Sequence, residues 1–309
     1  MKLRSVILMG GMLFGYTASA QDPVYSQYMF NSLALNPGYT GNKGLLNVNG
    51  YVRSQWIGVK GSPKSQTLTG DMLLGDERSG VGVIIKNDGL GAQSALSVSG
   101  SYAYWLPLNN DLRLSFGLSA GFYHNTLNAS RLTPDNEGDP ALTQTNVSEL
   151  MPDANAGFFL TNDIFYAGLS ATRILTNSTR KNDRSYLLYS EQNYYLTSGY
   201  VFELNELKLY PSMLMKFGFN TPAQLDISSS VLIEDMFWVG GSFRFVTNSP
   251  GKQLSLYSRF TINDRYQLGY SFDYDISRFR RSLKSTHEIS LTAVFDFGNE
   301  RSRGLKSYF

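Results

Sequence analysis

Leu112, Leu114, Phe116, Leu118, Ala120 and Phe122 alternate with Arg113, Ser115, Gly117, Ser119, Gly121 and Tyr123. Segments with this period of two recur from about residue 45 to residue 297. A strand that is apolar on one side and small or polar on the other faces two solvents at once. When nearly every segment does so, lipid outside and water inside satisfies the whole set. The pattern places strands near 45–56, 65–74, 79–87, 92–106, 111–124, 153–161, 164–172, 191–203, 206–218, 222–233, 236–246, 252–262, 265–276 and 286–298. That makes about fourteen, an even number that lets an antiparallel sheet close on itself.

The connections sort by length. Every second one is short and rich in turn formers: Gly75-Asp76-Glu77-Arg78, Leu108-Asn109-Asn110, Asn162-Asp163, Leu204-Asn205-Glu206, Glu234-Asp235 and Asn263-Asp264. The intervening set holds the two longest, 125–152 and 173–190, and the basic stretch 277–285. Outer-membrane barrels alternate short periplasmic turns with longer extracellular loops in this way, which puts both termini on the periplasmic side. A soluble sandwich of this size would be large for one domain, and the repeat of about 40–50 residues that marks a propeller is missing.

The first residues agree with that compartment. Lys2 and Arg4 precede an apolar run from Val6 to Tyr16, and Ala18-Ser19-Ala20 follows, the pattern of a signal peptide. The run is too short for a membrane helix of about 20 residues. There is no cysteine, which excludes disulfide scaffolds and thiol chemistry. A formal charge of +2 implies no nucleic-acid partner. The 20 tyrosines, 19 phenylalanines and 29 glycines suit interfacial belts and tight turns.

Residues 21–44 stand apart. Pro23, Pro37, Gly38, Gly41 and Gly44 break any strand, while Tyr25, Tyr28, Met29, Phe30, Leu33 and Leu35 are too apolar for a solvated tail. The segment is expected to pack in the lumen near its periplasmic mouth or to order on a partner. Four units follow: a signal peptide (1–20), a plug or partner-binding segment (21–44), a transmembrane barrel (45–298) and a periplasmic tail (299–309).

The same segment carries a resemblance. Asp22-Pro23-Val24-Tyr25-Ser26-Gln27-Tyr28-Met29-Phe30-Asn31 and Asn36-Pro37-Gly38-Tyr39-Thr40-Gly41 closely resemble the mature N-terminus of the PorP/SprF family of type IX secretion system membrane proteins, typical of Bacteroidetes. Gln55-Trp56-Ile57-Gly58, Tyr194-Tyr195-Leu196, Leu207-Lys208-Leu209-Tyr210-Pro211-Ser212, Phe237-Trp238-Val239-Gly240 and His287-Glu288-Ile289 agree in order along the chain. Asn36-Pro37-Gly38-Tyr39 departs from the usual Asn-Pro-Ala-Tyr. The resemblance implies a non-enzymatic component of the type IX secretion and gliding machinery. Such a protein would anchor or recognise a secreted adhesin or cargo domain and touch periplasmic components. The alternative is a passive channel for a small solute.

Candidate chemistry is sparse. His124 and His287 are the only histidines; a Ser-His-acid site needs partners on one face, whereas Glu288 beside His287 points to the opposite one. With no His pair and no cysteine, no metal or cofactor is expected, and Asp135, Glu137 and Asp139 lack the spacing of a calcium loop. Parity directs Arg53, Arg113, Lys208, Lys216, Asp226, Arg244, Arg259, Arg265, Asp273, Asp275 and Glu288 inward. Mixed signs read as a hydrogen-bonded network filling the lumen, built above all on Arg53, Arg113, Asp226, Arg244, Arg259, Asp273 and Glu288, or alternatively as a selectivity lining. Partner contacts are expected at Asp22, Pro23, Tyr25, Gln27, Tyr28, Phe30, Asn31, Asn36, Pro37 and Tyr39. Arg278, Arg280 and Arg281, with Lys284, suit lipopolysaccharide phosphates or an acidic face of a secreted cargo. Trp56, Trp105 and Trp238 are interfacial anchors, or lumen packing where their parity is inward.

Overall fold

A computed structural model describes residues 24–131, 146–175, 192–204, 207–219, 221–247, 252–263, 265–276 and 285–296. The strands are β1 (Leu46–Ser54), β2 (Lys64–Leu73), β3 (Ser79–Leu90), β4 (Gln93–Pro107), β5 (Arg113–Leu127), β6 (Val147–Thr161), β7 (Phe165–Thr172), β8 (Asn193–Tyr200), β9 (Phe202–Leu204), β10 (Leu207–Phe217), β11 (Gln224–Ile233), β12 (Phe237–Val246), β13 (Lys252–Asn263), β14 (Tyr266–Asp275) and β15 (Thr286–Phe295). Each pairs antiparallel with its neighbour, and β1 pairs with β15 from Leu46↔Phe295 to Ser54↔His287, closing the sheet into a barrel. Because β8 and β9 occupy one place in the wall, the barrel has fourteen positions. The closed ring removes the free edges of the sheet, as a wall in hydrocarbon requires, while the long-connection end of β6, Val147–Asn155, pairs with β5 alone and β9 with β10 alone.

The division of β8 from β9 follows from two neighbours. Pro211 on β10 has no N–H to offer, and the ladder on that side is interrupted between Leu209↔Phe202 and Ser212↔Gly199. On the other side the Val201 N–H donates to the Ile164 carbonyl at 2.7 Å, one rung past Phe165↔Tyr200 in the β7–β8 ladder. Inward and outward parity continues unbroken, with Val201 buried and Tyr200 and Phe202 exposed.

The alternation read from the sequence is the alternation of the wall. Phe116, Leu118 and Phe122 point outward, Leu118 being 67% exposed, while Ser115, Ser119 and Tyr123 are buried inside. Leu256, Ile227 and Ile289 are likewise outward, against Ser255, Ser228 and Ser290 within. A continuous outer surface of this kind is stable only against lipid.

Strand lengths differ around the ring. β4, β5 and β6 have 15 residues each, against 9 for β1 and 10 for β15. The connection expected at 125–152 is therefore shorter than its sequence span, because β5 runs on to Leu127 and β6 begins at Val147. Between β3 and β4, on the same side as the long connections, lies a tight hairpin made at Gly91 with φ 59°. On the other side, the Asp76 carboxylate accepts hydrogen bonds from the Ser79 hydroxyl and the Arg78 and Ser79 amides, which hold its pKa down. The signal peptide, the C-terminal tail and Asp135 to Asp139 lie outside the described residues.

Leu118 sits near mid-height on the outer face. Leu118→Arg is expected to destabilise the barrel by about 2–4 kcal/mol, the cost of a cation near the bilayer midplane. Urea unfolding in lipid vesicles measures it, and an unchanged midpoint would mean that this face does not meet lipid.

Candidate functional site: the occupied lumen

Residues 24–45 contact inward-facing side chains on both sides of the ring. Three short 3-10 turns, Tyr28–Phe30, Ser32–Ala34 and Pro37–Tyr39, compact the segment. Such turns leave many backbone groups without helical or sheet partners, and these must be satisfied from outside the segment. The inward polar residues of the barrel do this. The Ser170 hydroxyl donates to the Leu35 carbonyl at 2.7 Å, Lys86 Nζ to the Ala34 carbonyl at 2.5 Å, and Trp105 Nε1 to the Thr40 carbonyl at 2.8 Å. Asp71 accepts from the Gly41 amide at 2.7 Å, and the Ser115 hydroxyl donates to the Gly38 carbonyl. Asn36 caps the third turn by accepting from the Gly38 amide, while its Nδ2 donates to the Phe158 carbonyl at 2.8 Å. The approach is close enough that a β-carbon on Gly117 would run into the Pro37 backbone, so only glycine fits there.

The strongest contact lies where the first strand meets the last. Arg53 on β1 forms ion pairs with Asp273 on β14 at 2.6 Å and with its cross-strand partner Glu288 on β15 at 3.0 Å. One cation between two carboxylates leaves a surplus negative charge in a buried place, which must be met by hydrogen-bond donors. The N-terminal segment supplies them. Glu288 accepts from the backbone N–H of Ser26 at 3.0 Å and of Gln27 at 3.1 Å, one on each carboxylate oxygen. The Ser26 hydroxyl donates to Asp273 at 2.8 Å and accepts from Arg53 at 3.0 Å. Next to it Tyr25 packs on Tyr51 and bonds Thr67 at 2.7 Å, and Ser290 donates to Gln27 Oε1 at 2.9 Å. The Tyr25 and Tyr28 phenols are buried, and each shares a hydrogen bond with a wall hydroxyl, Thr67 and Ser212 respectively.

The remaining inward charges form separate local groups. Arg244 pairs with Asp226 at 2.5 Å. The Arg259 guanidinium lies 4.3 Å over the Phe30 ring and donates to Thr292 at 2.6 Å. Arg113 stacks over Trp105 at 4.7 Å and donates to the Asn42 carbonyl at 3.3 Å. Toward the short-turn side an aromatic layer crosses the lumen: Tyr39, Trp105, Phe159, Tyr166, Tyr210 and Trp238, with Leu33 and Phe30 from the segment packed against them. Toward the long-connection side a polar cleft opens above Leu33 to Pro37, lined by Lys86, Asp88, Asp153 and Arg173.

A family model described as type IX secretion system membrane protein PorP/SprF matches residues 17–293. The chain belongs to the PorP/SprF family. A search of curated proteins finds no match. Among solved structures the chain is similar to the CymD monoaromatic hydrocarbon channel, at 12% identity with 89% of this chain and 94% of that chain covered and a TM-score of 0.53. It is also similar to the TodX deltaS2S3 mutant monoaromatic hydrocarbon channel, at 8% identity, 86% and 94% coverage and a TM-score of 0.52. At these identities the likeness concerns the barrel alone. Barrel and family together make this PorP/SprF chain an outer-membrane component of type IX secretion.

Several sequence-predicted residues of the PorP/SprF chain occupy other places than expected. Tyr25, Gln27, Tyr28, Asn31, Asn36, Pro37 and Tyr39 are buried and Phe30 is half-buried, so in this conformation the barrel's own wall takes up their contacts. Asp22, Pro23, Arg278, Arg280 and Arg281 lie outside the described residues. Lys208 pairs with Asp235 at the short-turn rim, and Arg265 is exposed in the turn between β13 and β14, because strand ends splay past the lumen. Trp105 and Trp238 pack inside, the alternative expected for inward parity. His287 Nδ1 shares a 2.7 Å hydrogen bond with the Tyr270 hydroxyl and Nε2 a 3.1 Å one with Ser285, so tyrosine stands where a hydrolytic triad needs its acid.

The segment also takes a path the sequence did not suggest. It spans the lumen instead of gathering at the short-turn mouth. Ser26 is level with Arg53, Asp273 and Glu288, each within two residues of a strand end on the long-connection side. Asn42 is level with Arg113, the first residue of β5 on the short-turn side. Val24, the first described residue, belongs to an apolar cluster with Tyr195 and Leu214 in the long-connection half, and the two termini lie outside the described residues.

Glu288→Ala removes the acceptor of two backbone amides and half of the charge compensation of Arg53. The expected loss is about 3–5 kcal/mol, as for other broken buried pairs. Glu288→Gln, which retains shape and one acceptor oxygen, should cost less. Chemical unfolding with limited proteolysis at residues 24–44 reads both; equal stability of wild type and Glu288→Ala would show that the latch carries no energy.

Proposed function

We propose that this PorP/SprF protein is a non-enzymatic outer-membrane platform. Its long-connection face lies at the cell surface and anchors or recognises type IX cargo, a secreted adhesin or a cargo C-terminal domain. Its short-turn face meets periplasmic components of the secretion and gliding machinery, and the Arg278, Arg280 and Arg281 patch binds lipopolysaccharide phosphates. The single observation that carries this reading is the occupied lumen. A segment held by a buried ion triad and by hydrogen bonds along the whole height of the barrel acts as a resident plug, and a wall without a free bore serves to hold partners. The environment of His287 supports a protein without hydrolytic chemistry.

The platform reading predicts that deleting the gene abolishes surface retention of the cognate adhesin, measured by labelling intact cells. Unchanged display, secretion and gliding would overturn it. Planar-bilayer recording separates the platform from a passive channel. The intact protein is expected to give no steady conductance, and a variant lacking residues 24–44 should open to ions if it assembles. Steady conductance of the intact protein, with no partner co-purifying, would favour the channel.

A further inference from the structure

We infer that the free edge of β6 at the long-connection rim is a strand-addition site for an extended segment of an exported protein, apolar on its outward side and basic on its inward side. This rests on the reading that the protein holds type IX cargo at its surface, and it names the part of the surface that does so. β5 and β6 have 15 residues each and pair along their whole length, from Arg113↔Thr161 to Leu127↔Val147. β7 has 8 and pairs with β6 only over Ala156–Thr161. The last backbone bond on that side runs from the Ile174 N–H to the Ala154 carbonyl at 2.9 Å. From Asp153 to Val147 the strand continues past the rung Thr172↔Asn193 at which β7 and β8 end. Unpaired backbone groups are tolerated there only in contact with water.

The Ile174 bond also fixes which groups are on offer. Alternate residues of an antiparallel strand bond to opposite neighbours, so Ala154, Pro152, Leu150 and Ser148 turn their backbone polar groups away from β5. Among the described residues nothing pairs with the N–H groups of Ser148 and Leu150 or with the carbonyls of Ser148, Leu150 and Pro152. Pro152 lacks an N–H at one of these positions, so the β5 ladder loses nothing by it, as for proline on an edge. Donors and acceptors at strand spacing are matched by another strand. Side chains set what that strand carries. Leu150 is 66% exposed on the outer face, and Glu149 is half-buried on the inner one. Residues of an added strand would alternate between these faces, apolar beside Leu150 and lysine or arginine beside Glu149. A second copy does not fit. Copies inserted the same way up run this edge in the same direction, and a two-fold axis along the membrane normal sets strands tilted by about 45° across one another at roughly 90°. A separate extended chain is free to run antiparallel.

Full-length protein in zwitterionic lipid nanodiscs would be titrated into a fluorescein-labelled peptide of alternating lysine and valine, seven residues long, with anisotropy as the readout. In the inferred pairing the valine amides lie opposite Ser148 and Leu150 and the lysine amides point away. N-methylation of the valines is therefore expected to weaken binding at least about tenfold more than N-methylation of the lysines, through the loss of two or more hydrogen bonds. These peptides test backbone pairing without altering the barrel. Leu150→Pro removes one free donor and should weaken the unmethylated peptide about tenfold. Glu149→Lys should shift preference roughly two- to fivefold from the lysine-valine peptide toward a glutamate-valine one. No binding of the unmethylated peptide, or equal binding of the two methylated ones, would overturn the inference. So would binding that appears only when the chain is shortened within 176–190, which would assign the edge to the protein's own connection, or a dimer that Leu150→Pro dissociates, which would assign it to a second copy. Each of these leaves the platform reading standing, because that reading fails only if deletion of the gene leaves display, secretion and gliding unchanged.

Discussion

A surplus carboxylate in a dry place is the constraint on which the rest of this structure turns. Arg53 neutralises only one of Asp273 and Glu288, and both are buried. A charge removed from water is tolerable only when hydrogen-bond donors replace the lost hydration. Those donors come from the Ser26 and Gln27 amides and the Ser26 hydroxyl, outside the wall. Since Arg53 belongs to the first strand and Glu288 to the last, the same group of contacts ties the N-terminal segment to the seam that closes the barrel. Closure and occupation of the lumen are thereby coupled. A barrel closed without the segment would keep an unsatisfied anion, and a segment without the closed barrel would find its acceptors divided between separated strands.

From this seam the segment descends with its backbone bound to alternating partners. Serine, lysine, tryptophan and aspartate on the inward faces serve as donors and acceptors for a chain that forms no sheet of its own. Glycine at 117 makes room where backbone meets wall. At the short-turn end the aromatic layer around Trp105, Phe159, Tyr166 and Trp238 joins Leu33, Tyr39 and Phe30 of the segment in one apolar cluster. The barrel thus has two apolar environments, lipid outside and this layer within. The inward tryptophans belong to the second, which is why they are absent from the interfacial girdle.

The wall was legible in the sequence because the information is local. A period of two fixes which residues share a face, and turn formers at every second connection fix where strands end. The Leu118 and Leu256 faces needed nothing beyond that reading. Its errors fall where parity ceases to determine position. Lys208 and Arg265 have inward parity yet sit at the rim, because depth along the barrel depends on strand tilt and stagger. β5 and β6 outrun their predicted ends, since Asn125 and Pro152 interrupt the pattern without interrupting the pairing.

By itself, then, the sequence determined an outer-membrane barrel with sorted connections, a polar charged interior and an N-terminal segment too apolar to be solvated. Those properties follow from composition and alternation, which act between neighbouring residues. The tertiary structure alone decided which charges meet and where the segment runs. Arg53 and Glu288 are separated by 235 residues, and only the register of the closing pair brings them together. The direction of the segment, with Val24 in the long-connection half and Leu45 beside the short turns, follows from which inward faces offer donors and acceptors at each depth. No local pattern encodes depth, because depth is a property of the closed ring.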